Sequence, residues 1–280
     1  AHMLNVAPDG TNINREAGSE YVRRDRSALL AAIRAQTADL GVAFDGDADR
    51  VVFVTPDGML IDGDHVLGIL AAQMQAQGTL PGNSVVATDM SNSGLEDYLR
   101  ERGITLVRTK VGDRYVMERM RTGGFALGGE QAGHVILLDG KHTVGDGLYI
   151  GLGITALAAY HKQNGGPTLN ELAAQIPRYP QVIASAQLDR KIELASIPRL
   201  DKLRTEALAA FDGKGRVNVR FSGTEPNLLR IMVEGGPANT LREVARWAKV
   251  LCQTVGSACG TPDPPIDLVD CMTGARVAND

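Results

Sequence analysis

Short apolar runs alternate with helix-like stretches along much of this chain, and that rhythm constrains the fold more than any other feature. Runs at 40–44, 51–54 and 85–88 have the length and the apolar composition of strands. Stretches at 64–77 and 94–102 repeat apolar residues at helical spacing. Strands and helices that alternate in this way predict helices packed in layers on sheets.

We predict an α/β fold in three domains followed by a tail. Two layered α/β domains occupy residues 4–80 and 81–179, and a small α+β C-terminal domain occupies residues 180–256. Residues 257–280 are rich in Pro, Gly, Asp and small side chains, so they predict a flexible tail.

The segment Asp45-Gly46-Asp47-Ala48-Asp49-Arg50 places three carboxylates on alternate residues directly after an apolar run. In an extended chain, residues two apart face the same side, so the three aspartates could bind one hard cation. Arg50 adds a permanent positive charge that could hold a phosphate bridging from the metal. A solvated turn is the alternative. An EF-hand is excluded, because Arg50 and Pro56 stand where its loop requires Gly and Glu.

A second polar loop, residues 222–227, joins two alternating apolar runs at 217–221 and 228–233, which predict paired strands. Its hydroxyls and backbone N–H groups around a glycine can bind an anion, and flanking arginines can clamp a phosphate. An ordinary polar hairpin is the alternative. The candidate phosphate ligands are Arg220, Ser222, Gly223, Thr224, Asn227 and Arg230.

A third loop, residues 128–134, lies between predicted strands at 125–127 and 135–138. Glu130, Gln131 and His134 are hydrogen-bonding groups held between glycines, which suits the recognition of sugar hydroxyls. His134 could also transfer a proton near neutral pH. A purely structural histidine at the entrance of a strand is the alternative.

Together the three loops resemble those of the α-D-phosphohexomutases. That family's metal-, sugar- and phosphate-binding loops have the patterns D-G-D-x-D-R, G-E-x-S-G-H and R-x-S-G-T-E-P, in the same order. The resemblance runs from about residue 5 to about residue 255. Gln131 and the segments 8–14 and 110–116 favour the bacterial branch that acts on glucosamine phosphates over the branches that act on mannose or glucose phosphates. Ala132 departs from the pattern, because the family usually has Ser there.

The resemblance implies an isomerase that interconverts glucosamine 6-phosphate and glucosamine 1-phosphate through a phosphoserine and a bisphosphate intermediate. This reaction serves the synthesis of amino-sugar nucleotides and cell-wall precursors. Lys110, Asp113 and Arg114 are further candidates for the cleft. The implied site residues are Asp45, Asp47 and Asp49 for Mg²⁺, Arg50 and His134 for catalysis, and Glu130, Gln131, Arg220, Ser222, Gly223, Thr224, Asn227 and Arg230 for the substrate.

Members of the family carry the catalytic serine in an N-terminal domain, within a T-A-S-H-N-P-like loop, and these 280 residues contain no such loop. We therefore expect a fragment, inactive by itself, that lacks this domain and the start of the next. The resemblance implies that the first two domains are related and that the first is incomplete. The expected partners are the missing domain and a hexosamine phosphate. A homodimer and a non-catalytic phosphosugar-binding protein stay open.

The composition is that of an ordinary globular protein, and it argues against several classes of function. A net charge of -4 argues against a nucleic-acid partner. No apolar run is long enough to span a bilayer, and no signal-peptide pattern occurs, so a cytoplasmic location is expected. The three cysteines, Cys252, Cys259 and Cys271, match no zinc pattern and predict free thiols.

Overall fold

The computed structural model describes residues 1–138, 140 and 144–278. The chain divides into two compact units, Ala1–Pro177 and Arg178–Asp280, each with its own hydrophobic core. The further division of the first unit at residue 80 stays a prediction.

The first unit alternates helices and strands. Its helices are α1 Ser19–Arg24, α2 Ser27–Ala35, α3 Gly63–Ala76, α4 Ser93–Glu101, α5 Asp113–Gly123, α6 Gly147–Asn164 and α7 Leu169–Ala174. Its strands are β1 Gly41–Phe44, β2 Val51–Val54, β3 Leu60–Ile61, β4 Ser84–Thr88, β5 Thr105–Thr109, β6 Leu127–Gly129 and β7 Val135–Leu137.

These strands form two sheets. The first is antiparallel, with the order β1-β2-β3, and the second has the order β5-β4-β6-β7. In the second sheet β4 is parallel to β5 and β6, and the connecting helices α4 and α5 make the crossovers that parallel strands require. β7 returns antiparallel to β6. Two hairpin turns, β1–β2 and β6–β7, therefore hold the acidic loop and the predicted sugar-binding loop.

One core serves both sheets of the first unit. Phe53 and Ile61 of the first sheet and Val85 and Leu127 of the second are fully buried in the same cluster. Helix α3 crosses this core, and the Asp62 side chain begins it by accepting a hydrogen bond from the N3 backbone. The two sheets of this unit are therefore packed around shared apolar side chains, which fixes their hairpin turns relative to each other.

In its described residues, the second unit is an antiparallel sheet with two α-helices and a short 3-10 helix at Leu194–Ser196. Its strands, β8 Gln181–Gln187, β9 Arg216–Phe221, β10 Leu228–Glu234 and β11 Asp267–Asp270, have the order β11-β8-β10-β9. Its helices are α8 Leu200–Ala210 and α9 Leu241–Ala258. One face of α9, which includes Val244, Leu251 and Val255, is fully buried, as an amphipathic helix on a sheet requires.

Strand β11 corrects the prediction of a flexible tail after residue 256. It pairs with β8 over Asp267–Asp270, and Leu268 is buried in the core of this unit. Asp270 then accepts a hydrogen bond from Met272 N at 2.9 Å, which begins a turn. Cys259 and Cys271 are buried as well, so strand pairing and several buried side chains order this segment, although its composition is typical of a loop.

Two features of the structure bear on the expectations from composition. Within the described ranges, no helix combines the length and the apolar character needed to cross a membrane. The three cysteines, which the sequence analysis predicts as thiols, are all buried.

Candidate functional site

The acidic loop is the turn of the β1–β2 hairpin. The extended conformation considered in the sequence analysis does not occur, because Ala48 N donates to Asp45 O at 3.1 Å and Ala48 is left-handed, with φ of 58°. The start of helix α6 supports this turn, since Gly147 N donates to Ala48 O at 2.9 Å. A Cβ added to Gly147 would lie 2.7 Å from the carbonyl oxygens of Ala48 and Arg50. Only glycine permits so close an approach.

The turn nevertheless brings the three aspartates together. One carboxylate oxygen each from Asp45, Asp47 and Asp49 lie within 4.8 Å of one another. Arg50 N donates to Asp45 Oδ1 at 3.0 Å. Its Nε lies 3.6 Å from Asp45 Oδ2 and 3.9 Å from Asp49 Oδ1. Three carboxylates beside one guanidinium leave an excess of negative charge that favours a divalent cation.

The surroundings of the Asp49 carboxylate indicate whether these residues can bind a metal ion. Its Oδ1 is buried and accepts no hydrogen bond in the described chain, while Oδ2 lies 3.0 Å from His134 Nδ1. A buried oxygen without a donor requires an explanation, and a hard cation bound by oxygen ligands supplies one. The donor set therefore fits Mg²⁺.

His134 lies beneath this acidic turn and is only 7% exposed. Its Nδ1 faces Asp49, and a Cβ added to Gly145 would lie 2.0 Å from its Nε2. Gly145 therefore packs directly against the imidazole. The predicted transfer of a proton by His134 stays a prediction.

The predicted sugar-binding loop is joined to the acidic turn by backbone contacts. Val51 N donates to Gly133 O at 3.1 Å, and Arg50 and His134 form an antiparallel bridge. Glu130 N donates to His134 O at 2.8 Å, which closes the loop. The two loops therefore form one continuous structure.

Within this loop Glu130 and Gln131 differ in their surroundings. Glu130 is half-buried, and its Oε1 accepts from Gly112 N at 3.1 Å. Gln131 is only 5% exposed, and its Nε2 donates to Asp64 Oδ2 at 3.3 Å. Arg23 Nη1 also donates to the Gln131 carbonyl at 3.0 Å. The Gln131 side chain thus lies in the interior and holds the loop, so its predicted contact with a substrate stays a prediction.

A pocket of about 350 Å³ opens beside Asp49 and His134. Helix α5 lines it with Asp113 and Arg114, both of which the sequence analysis considers, and with Met117 and Arg121, which it does not. The spacing 114, 117 and 121 places these side chains on one helix face, and this pattern is the signal that could have identified them.

In the second unit, the predicted hairpin is confirmed, because β9 and β10 are antiparallel neighbours with Arg220 opposite Arg230. Burial, and secondly the charge of Arg230, lower the pKa of the Arg220 guanidinium. Arg230 Nη2 donates to Glu225 Oε1 at 2.7 Å, while its buried Nε has no hydrogen-bond acceptor among the described residues. Two adjacent cations with one carboxylate attract an anion.

The loop between these strands is organised by its own side chains. Ser222 is 5% exposed, and its Oγ accepts from Thr224 N at 3.3 Å and Glu225 N at 3.1 Å. Two of the N–H groups expected to bind an anion are therefore already bonded. Asn227 is left-handed, with φ of 55°, and its Nδ2 donates to Asp189 O at 3.0 Å. Gly223 and Thr224 are exposed at the tip of the loop.

Lys191 is a contact of this loop that the sequence analysis does not identify. Its Nζ donates to Ser222 O at 3.0 Å. Nothing in the local sequence marks this lysine, which comes close only because β8 and β10 pair.

Comparison with known families identifies the family to which the chain belongs. The profile of the phosphoglucomutase/phosphomannomutase alpha/beta/alpha domain III matches residues 62–179, and that of the C-terminal domain of the same family matches residues 184–247. The chain belongs to the phosphohexomutase family. This confirms the resemblance and the predicted fold class.

Curated relatives agree with this phosphohexomutase assignment. The chain is 42% identical over 257 residues to phosphoglucosamine mutase of Geobacter sp. (strain M21), covering 92% of this chain and 54% of the relative. It is 46% identical over 249 residues to phosphoglucosamine mutase of Symbiobacterium thermophilum, covering 89% of this chain and 54% of the relative. The chain therefore spans about half the length of the curated relatives it matches.

A solved phosphohexomutase structure shares the fold. Aspergillus fumigatus N-acetylphosphoglucosamine mutase, in complex with GlcNAc-6P and magnesium, has a TM-score of 0.66 to this chain at 21% identity. The match covers 86% of this chain and 57% of that one. At this identity the likeness shows the fold alone.

Proposed function

We propose that the chain carries the metal-, sugar- and phosphate-binding loops of a phosphoglucosamine mutase, which interconverts glucosamine 6-phosphate and glucosamine 1-phosphate. The observation that carries the proposal is the convergence of three aspartates on one point, where a buried oxygen of Asp49 has no hydrogen-bond donor. A non-catalytic phosphosugar-binding protein would have no use for this group.

In this proposal Asp45, Asp47 and Asp49 hold Mg²⁺, which when bound neutralises charge on a phosphoryl group in transfer. Arg50 has its Nε between two of these carboxylates and presents a cation at the edge of the same site. It would steady the phosphoryl group that moves between the sugar and a phosphoserine.

The pocket beside the acidic turn would hold the sugar. Arg114 and Arg121 give one wall a positive charge, and Asp113 can accept hydrogen bonds from hydroxyl or amino groups. Glu130, at the adjoining loop, can do the same. A site that pairs acceptors with cations suits an amino sugar that carries a phosphate.

The loop of the second unit would bind the phosphate that does not react. Arg220 and Arg230 would supply the charge, the exposed Gly223 would supply its backbone N–H, and the exposed Thr224 would supply its hydroxyl. Ser222 and Asn227 would act by shaping the loop. The cytoplasmic location, the homodimer and the role of a further domain stay predictions.

Calorimetric titration of the 280-residue chain with three ligands tests the proposal. In Mg²⁺, glucosamine 6-phosphate should bind more tightly than glucose 6-phosphate or mannose 6-phosphate. Arg220→Met should weaken all three, because a charge-assisted contact to the phosphate is lost. A preference for glucose or mannose would overturn the choice of branch, and no binding of any sugar phosphate would overturn the proposal.

A further inference from the structure

His134 contacts the acidic group in a way that neither the sugar loop nor proton transfer requires. It is 7% exposed, and its Nδ1 lies 3.0 Å from Asp49 Oδ2. The other oxygen of the same carboxylate, Oδ1, is buried and accepts no hydrogen bond. The imidazole thus engages Oδ2 of Asp49, while Oδ1 faces Arg50 Nε at 3.9 Å without a hydrogen bond.

The ring of His134 has almost no freedom to leave this position. Its backbone is fixed on one side by the bridge to Arg50 and on the other by the bond from Glu130 N to His134 O, at 2.8 Å. Behind the ring, a Cβ at Gly145 would lie 2.0 Å from Nε2, so the backbone of residue 145 forms a wall. Gly145 is itself bridged to Ile136 on β7.

We propose that His134, held against Gly145, is a positioning residue that holds Oδ2 of the Asp49 carboxylate and so leaves Oδ1 available to a metal ion. Carboxylates that bind metals are commonly oriented by such a donor, and loss of the donor weakens metal binding. The inference rests on the proposed metal site, and it assigns to His134 a role that does not involve contact with the sugar.

Calorimetry with Mg²⁺ alone, on the full 280-residue chain, separates the inference from the proposed function. His134→Ala should weaken Mg²⁺ about tenfold or more. His134→Asn should recover much of that loss, because its amide can donate from nearly the same place as Nδ1. Gly145→Ala should weaken Mg²⁺ as His134→Ala does, by pushing the ring away from Asp49.

Two controls make the outcome decisive. Gly153→Ala lies in open space on helix α6 and should leave Mg²⁺ affinity unchanged. Mg²⁺ should raise the unfolding temperature, relative to EDTA, by less in His134→Ala and Gly145→Ala than in the parent chain. If His134 had a purely structural role, each variant would unfold at a lower temperature in EDTA and in Mg²⁺ by the same amount. If Asp49→Asn abolishes Mg²⁺ binding while these variants bind normally, the positioning role is refuted and the metal site stands. If Asp49→Asn also binds normally, the proposed metal site itself fails.

Discussion

Gly147 and Gly153 lie on the same helix, and replacing each with alanine should change stability in opposite directions. Gly147 is the first residue of α6, and its N–H donates to the Ala48 carbonyl in the acidic turn at 2.9 Å. An added Cβ there would meet two carbonyl oxygens at 2.7 Å. Gly153 lies in mid-helix, and no atom lies within 4 Å of an added Cβ.

The size of each effect follows from these contacts. The Cβ at residue 147 must push backbone away, since both opposing atoms are carbonyl oxygens and cannot rotate aside. Overpacking of this kind costs about 1–3 kcal/mol in the free energy of unfolding. At residue 153 alanine meets nothing, and the gain in helix propensity is about 0.5–1 kcal/mol. The two variants should therefore differ by about 1.5–4 kcal/mol.

Urea unfolding followed by circular dichroism would measure both variants against the parent chain. Because the chain has two units, the transition of the first unit should be separated from that of the second, where neither variant should have an effect. Gly147→Ala should also weaken Mg²⁺, since the turn that carries the aspartates must move. Equal stability of the two variants would refute the close packing of α6 on the acidic turn.

Two further predictions concern the second unit. Burial raises the pKa of Cys252 to about 12, so its thiol should resist iodoacetamide at pH 8 until the chain unfolds, as mass spectrometry can follow. Since the unfolded thiol ionises near pH 9 and the folded one near 12, the free energy of unfolding should fall between these values, and less so in Cys252→Ala. Arg216→Met should cost about 3 kcal/mol in urea unfolding, because it leaves the fully buried Glu234 carboxylate without the guanidinium at 2.8 Å. Arg276→Met, which breaks an exposed pair, should change stability little, and an equal loss in both variants would contradict the argument.

The long elements were predictable from sequence because each carries its own periodicity. The helices predicted at 64–77 and 94–102 are observed at Gly63–Ala76 and Ser93–Glu101, a shift of one residue. The elements that escaped prediction, such as α7 and β3, are too short to show a period. Their order depends on contacts with distant parts of the chain, as the burial of Leu169 in α7 illustrates.

The site was predictable in its residue types but not in its geometry. Three alternating aspartates indicated a cation site, yet the extended backbone that the argument assumed is replaced by a turn with a left-handed Ala48. The carboxylates meet because a hairpin must reverse direction at that point. The surroundings of Gln131 could not be predicted either, since its side chain donates to Asp64 and its backbone carbonyl accepts from Arg23.

Two glycines show why the geometry of the site could not be predicted from sequence. Gly145 and Gly147 look like ordinary loop residues, but one abuts an imidazole and the other abuts two carbonyl oxygens. Neither needs an unusual backbone conformation, so no turn pattern predicts them. Glycine is required at these positions because their segment, about a hundred residues downstream of the acidic turn, lies directly against it. If that approach sets the orientation of Asp49, then alanine at residue 145 should affect the metal ion more than alanine at any open position of α6.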